Sequence, residues 1–419
     1  MSIFLALLGG ALLVLLVSNL TTSEKKIEQE IEHLYGIDDP QFARSLGTLL
    51  GPAILPGNRV TALINGDSIF PALLDAIRGA KQTVSFETFI YWSGAIGKAF
   101  AEALVDRARA GVRVHVLLDW VGSGRMDQSM IEEMKQAGVN VVKYHPLRWY
   151  NLGRLNNRTH RKLLVVDGTV GFTGGVGIAD NWLGNAEDPD HWRDSHFRVE
   201  GPAVAQVQAA FMDNWIEATA GVLHGDAYFP ELAPSGPHWA QMFKSSTDEA
   251  SESVRLMYLL SIASAEKSVR IANAYFVPDD LAVATMVAAQ RRGVQVEIIV
   301  PGRYTDARVV RRASRSRWEP LLEAGVAIYE YQPTMYHTKV MVVDDLLTSV
   351  GSTNFDNRSF RLNDEANLNI LDAEFAAGQA RQFEEDKRHS KQLTLEWWRS
   401  RPWRERAVEW LAGLLRLQL

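Results

Sequence analysis

The sequence predicts an α/β fold made of two similar halves, and three observations lead there. Strand and helix patterns alternate along most of the chain, a glycine closes each helix just before a strand begins, and the same order of segments occurs twice. In the first half, Thr83 to Tyr91 is β-rich, Ile96 to Ala110 carries apolar residues at helical spacing, and Gly111-Val-Arg-Val-His-Val-Leu-Leu-Asp119 reads as a buried strand. A helix over Gln128 to Ala137 then leads into Gly138-Val-Asn-Val-Val142. The second half repeats this with Val269 to Val277, Leu281 to Arg292, Gly293-Val-Gln-Val-Glu-Ile-Ile-Val300, and a helix ending before Gly325-Val-Ala-Ile-Tyr329. Gly is the expected residue just past a helix C-terminus. Near-continuous apolar strands imply sheets covered by helices on their faces.

The expected organisation is a membrane anchor over 1–22, an amphipathic lead-in over 23–57, a first domain over 58–225, a linker over 226–252, a second domain over 253–387 and a Trp/Arg-rich tail over 388–419. The stretch Gly221 to Ser251, with Pro230, Pro234, Gly236 and Pro237, marks the connection. At 419 residues, with 47% hydrophobic composition, 12 Trp and 16 Phe, the chain can bury substantial cores and does not resemble a disordered one. Cys is absent, which removes thiolate nucleophiles, disulfides and Cys-based metal centres. The net charge of -6 lacks the basic footprint of a dedicated nucleic-acid binder.

Ile3 to Val17 is an apolar run broken only by Gly9 and Gly10. No Lys or Arg precedes it and no small-residue cleavage pattern follows, so an uncleaved anchor is expected rather than a signal peptide. Lys25 and Lys26 on its far side lead to the expectation that the rest of the chain lies on the cytoplasmic side of the membrane.

Each half ends in one constellation. His160-x-Lys162-x4-Asp167 is followed by Gly174-Gly175, and His337-x-Lys339-x4-Asp344 by Gly351-Ser352-x-Asn354. Residues two apart on a strand share a face, so each His and Lys are expected to project together while Asp167 and Asp344 point away into a structural role. Imidazole can serve as nucleophile, base or acid near neutral pH, and Lys is a point charge suited to phosphate. Small residues at Gly174, Gly175, Gly351 and Ser352 would let the backbone approach an anion. One H-x-K is commonplace, but two copies in register within a duplicated chain are not. His191 and His196 lack metal-ligand spacing, and neither a metal nor a cofactor is expected.

These duplicated motifs resemble those of the phospholipase D superfamily, over about Asn58 to Asp386. Asn65-Gly66-Asp67, Phe86-Glu87, Thr173-Gly174-Gly175, Trp192-Arg193-Asp194, Tyr275-Phe276-Val277-Pro278, Tyr329-Glu330-Tyr331 and Asn354-x3-Arg358-Ser359 look like the bacterial cardiolipin synthases. The resemblance implies two α/β/α domains packed as a pseudo-two-fold pair. It implies that His160 attacks phosphorus and His337 acts as acid and base, with Lys162, Lys339 and Asn354 on the non-bridging oxygens. It also implies orienting carboxylates, Asp194 for His160 and Glu365 for His337. Gly177 departs from the pattern, standing where the first motif usually closes with Asn.

Leu147 to Lys162 carries Arg148, Arg154, Arg158, Arg161 and Lys162 beside Trp149 and Tyr150 with no acid, and Arg158 and Arg161 are expected to bind substrate phosphate. A second basic stretch, Arg303 to Trp318, has six Arg against Asp306 alone, and is either an anion-binding face or a solvated one. From Arg388 to Leu419, four Trp and seven Lys/Arg against three Glu suggest an amphipathic helix on an anionic membrane surface; a helix docked on the second domain is the alternative. The reading that follows is phosphatidyl transfer from phosphatidylglycerol to a second glycerophospholipid, with phosphatidylethanolamine as a further candidate substrate. A phospholipase D hydrolase, a nuclease and an inactive lipid-binding scaffold are the competitors. No nucleic-acid partner is expected, and the sequence does not specify an oligomeric state.

Overall fold

A computed structural model describes residues 9–10, 14, 27–146, 157–246 and 252–415. Apart from Gly9, Gly10 and Val14, the expected anchor lies outside the described residues, as do Lys25, Lys26, Arg148, Trp149, Tyr150 and Arg154. Among the described residues no helix is long and apolar enough to cross a membrane.

Sixteen strands are described: β1 Leu55–Ile64, β2 Thr83–Thr88, β3 Arg113–Asp119, β4 Asn140–Tyr144, β5 Arg158–Thr159, β6 Leu163–Val166, β7 Val170–Gly174, β8 Ser195–Glu200, β9 His238–Ser245, β10 Ser268–Asn273, β11 Gln295–Pro301, β12 Ala327–Tyr331, β13 Lys339–Val343, β14 Leu347–Gly351, β15 Asn363–Leu371 and β16 Ser390–Leu393. From one edge of the sheet, β4-β3-β2-β6-β7-β8-β1 meets β9-β15-β14-β13-β10-β11-β12, and β16 lies beyond. The two runs mirror each other strand for strand. In each, three strands are parallel and the others antiparallel, as the repeated strand-helix-strand pattern requires. The joint is the antiparallel contact of β1 with β9. The stretch read as a linker over 226–252 therefore holds the first strand of the second half, the mate of β1. Its Pro- and Gly-rich approach hides it, although Met242 and Phe243 are core residues.

Glycines at 111, 138, 293 and 325 all take positive φ, between 88° and 98°, at the four helix-to-strand junctions the sequence marked. On one face of the first half, the helices Asn65–Gly79 and Ala95–Arg109 pack Ile69, Phe70, Phe100 and Leu104 on Val84, Val114 and Val116. The helices Ser253–Ala263 and Asp280–Arg291 do the same for the second half. The opposite faces are covered by Val204–Thr219 and Ala373–Arg388, whose Phe211, Trp215 and Phe383 share a third core with strand residues of both halves. Each such large apolar side chain contributes roughly 1.5–3 kcal/mol when fully buried. The shared core holds the α/β/α halves together as one pair.

Both flanking segments pack on the second half. In the lead-in, Asp39 caps a helix over Pro40–Leu50 by accepting from the Gln41 amide, and Phe42 and Leu46 enter the core of the second half. The tail is not one surface helix. Its β16 pairs with β12, Trp398 on the Leu395–Ser400 helix is 3% exposed against Trp318, and only the last helix, Trp403–Gly413, keeps an open apolar face. Thus the core continues past residue 388, because the edge of β12 and the Trp318 ring need a cover.

Candidate active site

His160 and His337 lie just ahead of β6 and β13, and each is held by backbone from the other half. β5 pairs in parallel with β15, setting Thr159 opposite Asp364, and the His160 amide donates to the Asp364 carbonyl at 2.9 Å. Likewise Tyr336 is bridged in parallel to Arg193, and the His337 amide donates to the Arg193 carbonyl at 2.8 Å. The residue after each bridge is a carboxylate, so it faces the histidine of the opposite half. His160 Nδ1 lies 2.9 and 3.0 Å from the Glu365 oxygens, and His337 Nδ1 lies 2.7 Å from Asp194 Oδ2. The pairing expected from the resemblance, Asp194 with His160 and Glu365 with His337, is therefore reversed. The crossed backbone is the reason, and it cannot be read from a motif within one half.

Both carboxylates are fully buried and supported. The Asp194 oxygens accept from the Ser195 amide at 2.8 Å and from Trp182 Nε1 at 2.9 Å, and the Ser352 hydroxyl donates to Glu365. A Cβ on Gly175 would meet Asp194 Oδ1 at 2.2 Å, and one on Gly351 would meet the Ala366 carbonyl at 2.3 Å. The same holds for Gly174, 2.6 Å from the His196 Cα. The small residues at these positions make room for the carboxylate strand.

Burial pushes the His160 imidazole down to about 4, with Glu365 opposing and Lys162 adding to the shift. Burial alone would raise the Glu365 carboxyl, but His160, Lys162 and the Ser352 hydroxyl hold it at about 2. Near neutrality, then, a neutral imidazole faces an ionised carboxylate. Since a carboxylate only accepts, Nδ1 carries the proton and Nε2 presents its lone pair. The His337 imidazole is also lowered, by burial and by Lys339, against Asp194. Burial lowers Lys162 to about 7 and Lys339 to about 8, and each feels the other half's charges: Lys339 depresses Lys162, while Glu365 supports Lys339. The two motifs thus form one electrostatic site. An anion between the lysines would relieve the cost of keeping both charged.

Lys162 Nζ donates to the His160 carbonyl at 2.7 Å, and Lys339 Nζ to that of His337 at 2.6 Å. The Asn354 amide oxygen is buried without a hydrogen-bond partner among the described residues. Asp167 and Asp344, at φ 51° and 53°, accept amide hydrogens from residues 81–83 and 266–268. They tie strand ends together and touch neither histidine, the structural role expected of them. Arg161, expected on substrate, is instead wholly committed. Its donors go to the Glu365, Ala210 and Ser245 carbonyls and to Asp213. Arg158 is buried, 3.8 Å from Asp119 and within electrostatic reach of Arg358. In the second basic stretch, Arg311, Arg315 and Arg317 pair with Glu330, Glu409 and Asp280, leaving Arg303, Arg308 and Arg312 exposed.

Phe89, Trp182 and Asp306 escape the sequence reading. Phe89 meets the His160 ring edge-on at 5.3 Å. Trp182, Trp192 and Tyr275 surround the His337 ring at 5.3, 5.6 and 6.3 Å, and the Tyr275 hydroxyl donates to Asp306. A Trp five residues beyond Gly177, where the second half has Ser359, was the available signal. Glu187, Asp188 and His191 bring their ligand atoms within 4.8 Å of one another on the surface. His196 is buried, and burial lowers it to about 4.

The chain matches the family described as "Cardiolipin synthase, PLD-like domain" over residues 73–215 and 258–387. It is 36% identical over 350 residues to Cardiolipin synthase 2 of Bacillus anthracis, across 83% of this chain and 68% of that protein. It is also 36% identical over 361 residues to the Cardiolipin synthase of Geobacillus kaustophilus, across 85% and 72%. The phosphatidylserine synthase of Haemophilus influenzae Rd KW20 shares the fold, with a TM-score of 0.71 at 15% identity, over 91% of this chain and 100% of that one. With both halves matched and both H-x-K-x4-D sets converging on one site, the chain belongs to the phospholipase D superfamily, in its cardiolipin synthase-like group, and is an enzyme of the phosphatidyltransferase type.

Proposed function

We propose that the enzyme moves a phosphatidyl group from phosphatidylglycerol to the headgroup hydroxyl of a second glycerophospholipid, through a phosphohistidine on His160. His160 Nε2 forms a bond to phosphorus as the bond to the glycerol oxygen breaks, and protonated His337 gives its proton to the departing glycerol. Neutral His337 then takes the proton of the incoming hydroxyl, whose oxygen attacks phosphorus and releases His160. Two displacements at one phosphorus retain its configuration, and each is easier than the single transfer they replace. Lys162, Lys339 and Asn354 stabilise the charge on the non-bridging oxygens.

One observation carries the assignment of roles. His160 Nε2 has no partner among the described residues, whereas Lys339 Nζ stands 3.1 and 3.3 Å from the two nitrogens of His337. A lone pair with no ammonium in hydrogen-bond reach is the better nucleophile. The test is to incubate the chain with phosphatidylglycerol labelled in the phosphatidyl group, with and without phosphatidylethanolamine, and to identify every lipid product. Cardiolipin with released glycerol is expected; phosphatidic acid alone would make the enzyme a hydrolase. The same reading puts Ile3 to Val17 in a bacterial inner membrane with the two halves on the cytoplasmic side. Protease added outside intact spheroplasts should then leave residues 27–415 uncut.

A further inference from the structure

A groove of about 390 Å³ runs between the Arg308–Arg315 helix and the Trp403–Gly413 helix, apart from the histidines. Arg311, Arg312 and Arg315 line one side, and Arg404, Val408, Glu405 and Glu409 the other. Four guanidinium groups thus face two carboxylates. Glu409 is already shared by Arg315 at 3.0 Å and Arg401 at 2.7 Å, and Arg311 is held by Glu330 at 2.6 Å. Arg312 and Arg404 are exposed and have no ion-pair partner among the described residues. The groove therefore keeps unspent positive charge.

The rim is apolar. Trp403 is 73% exposed and Trp410 64%, and Leu411, Leu414 and Leu415 are also open. Residues 403, 407, 410, 411 and 414 recur at helical spacing, so they form one stripe beside the groove. Such a patch on a folded surface marks a contact. A second copy of the chain would bring arginines against arginines, whereas an anionic bilayer supplies phosphates for the groove and an acyl boundary for the stripe.

We propose that this groove and stripe form an anionic-phospholipid docking site outside the catalytic centre, with a lipid phosphate between Arg312 and Arg404 and the Trp403–Trp410 stripe in the headgroup–acyl boundary. The inference rests on the reading of the substrates as phospholipids, and it places the active-site mouth near the bilayer. The Arg308–Arg315 helix is wired to the site: Asp306, just before it, accepts from the Tyr275 hydroxyl at 2.6 Å, and the Tyr275 ring is 6.3 Å from that of His337.

Because the chain has no Cys, Leu414→Cys labelled with an environment-sensitive fluorophore reports on this helix alone in the full-length protein. A blue shift is expected with equimolar phosphatidylglycerol/phosphatidylcholine vesicles, reversed at high salt, and none with phosphatidylcholine alone. Arg312→Gln with Arg404→Gln should weaken the lipid-dependent burial of the label on the order of thirtyfold, about fivefold for each arginine near an anionic surface. Trp410→Ser with Leu411→Ser in the labelled chain should abolish it. No shift with any vesicle, an equal shift with both, or paired arginine variants that behave like the parent would each overturn the proposal. A shift that grows with protein concentration without vesicles would overturn it too, as a self-association face. Phosphatidyl transfer by the unlabelled chain in detergent micelles is scored separately. Loss of transfer with the shift intact counts against the assigned chemistry; the reverse counts against the groove.

Discussion

The two halves place the same residues at one constant offset, His160 with His337, Lys162 with Lys339 and Asp167 with Asp344, yet they surround their histidines differently. Among the described residues, His160 has a longer carboxylate, Glu365, backed by Ser352, one aromatic neighbour in Phe89 and no partner on Nε2. His337 has the shorter Asp194, backed by Trp182 and admitted by Gly175, three aromatic neighbours and an ammonium on its ring nitrogens. Symmetric motifs thus supply two imidazoles in unsymmetric surroundings, and the proposed mechanism gives them different roles on that ground.

The largest expected effect tests that division. His160→Ala and His337→Ala should each abolish turnover, because nucleophile and proton carrier cannot replace one another. His337→Asn should still acquire phosphate on His160 from a donor with a good leaving group, since the acid matters only for a poor one and is worth on the order of 10²–10⁴ in rate. Peptide mapping of the trapped intermediate gives the answer; label on His337 would exchange the roles.

The crossed carboxylates come next. Asp194→Asn should reproduce the His337 defect, and Glu365→Gln the His160 defect, each slowing kcat by on the order of 10²–10⁴ through loss of tautomer and charge support. In a double-mutant cycle, coupling should appear within His160–Glu365 and within His337–Asp194 and be small across them. The pH profile offers a second reading. Neutral His160, lowered to about 4, keeps kcat/KM high on the acid side down to that region. With a donor whose good leaving group does not need the His337 acid, kcat/KM falls on the alkaline side as Lys162 and Lys339 lose protons from about 7 and about 8. Removing the Glu365 charge takes away support for protonated Lys162, so Glu365→Gln should move the alkaline limb to lower pH. A limb that stays in place would mean that Lys162 does not bind the phosphoryl group.

The sequence made the duplicated α/β order and the paired motifs legible because periodicity and spacing are local. The helix-closing glycines fell where expected for the same reason. The crossed pairing was not legible, because it depends on β5 lying along β15 and Tyr336 along Arg193, contacts between segments far apart in the chain. Arg161 misled for a related reason: beside a catalytic His a basic residue looks like a phosphate ligand, and only packing shows its donors consumed by buried carbonyls. The tail's composition suited a membrane face and a core alike, and the structure divides it into a buried part and an open one. Trp398 fills the core, and Trp403 and Trp410 lie open.

That tail separates the halves again, since among the described residues only the second has its outer parallel strand paired with a further strand, β16. Trp398→Ala should cost about 3–5 kcal/mol, the usual range for removing a fully buried Trp. Thermal unfolding would register the loss. Truncation after Lys387 should yield insoluble protein rather than a soluble active core, because it opens the β12 edge and strips the cover from Trp318. A soluble, active truncation would show that the tail is dispensable to the fold.

The smallest expected effect concerns Gly177, the clearest difference between the motifs. A Cβ there would lie 2.9 Å from Ile90 Cβ and 3.3 Å from both the Ile90 carbonyl and Trp182 Cη2. In the second half Asn354 has room because the position matching Trp182 is Ser359, whose hydroxyl accepts from the Asn354 amide at 3.2 Å. Trp182 cannot move freely, since its Nε1 holds Asp194 and its ring stands against His337. Restoring the usual Asn should therefore not restore a phosphoryl hydrogen bond. Gly177→Asn should cost about 1–3 kcal/mol by overpacking and slow turnover through displacement of Trp182. Gly177→Ala, which adds the Cβ alone, should cost less and leave KM nearer the parent value. Melting temperature and KM measured on both variants decide the matter. A Gly177→Asn enzyme with an unchanged melting temperature and a lower KM would mean that the missing side chain, and not the Trp182 that occupies its space, is what distinguishes the first half from the second.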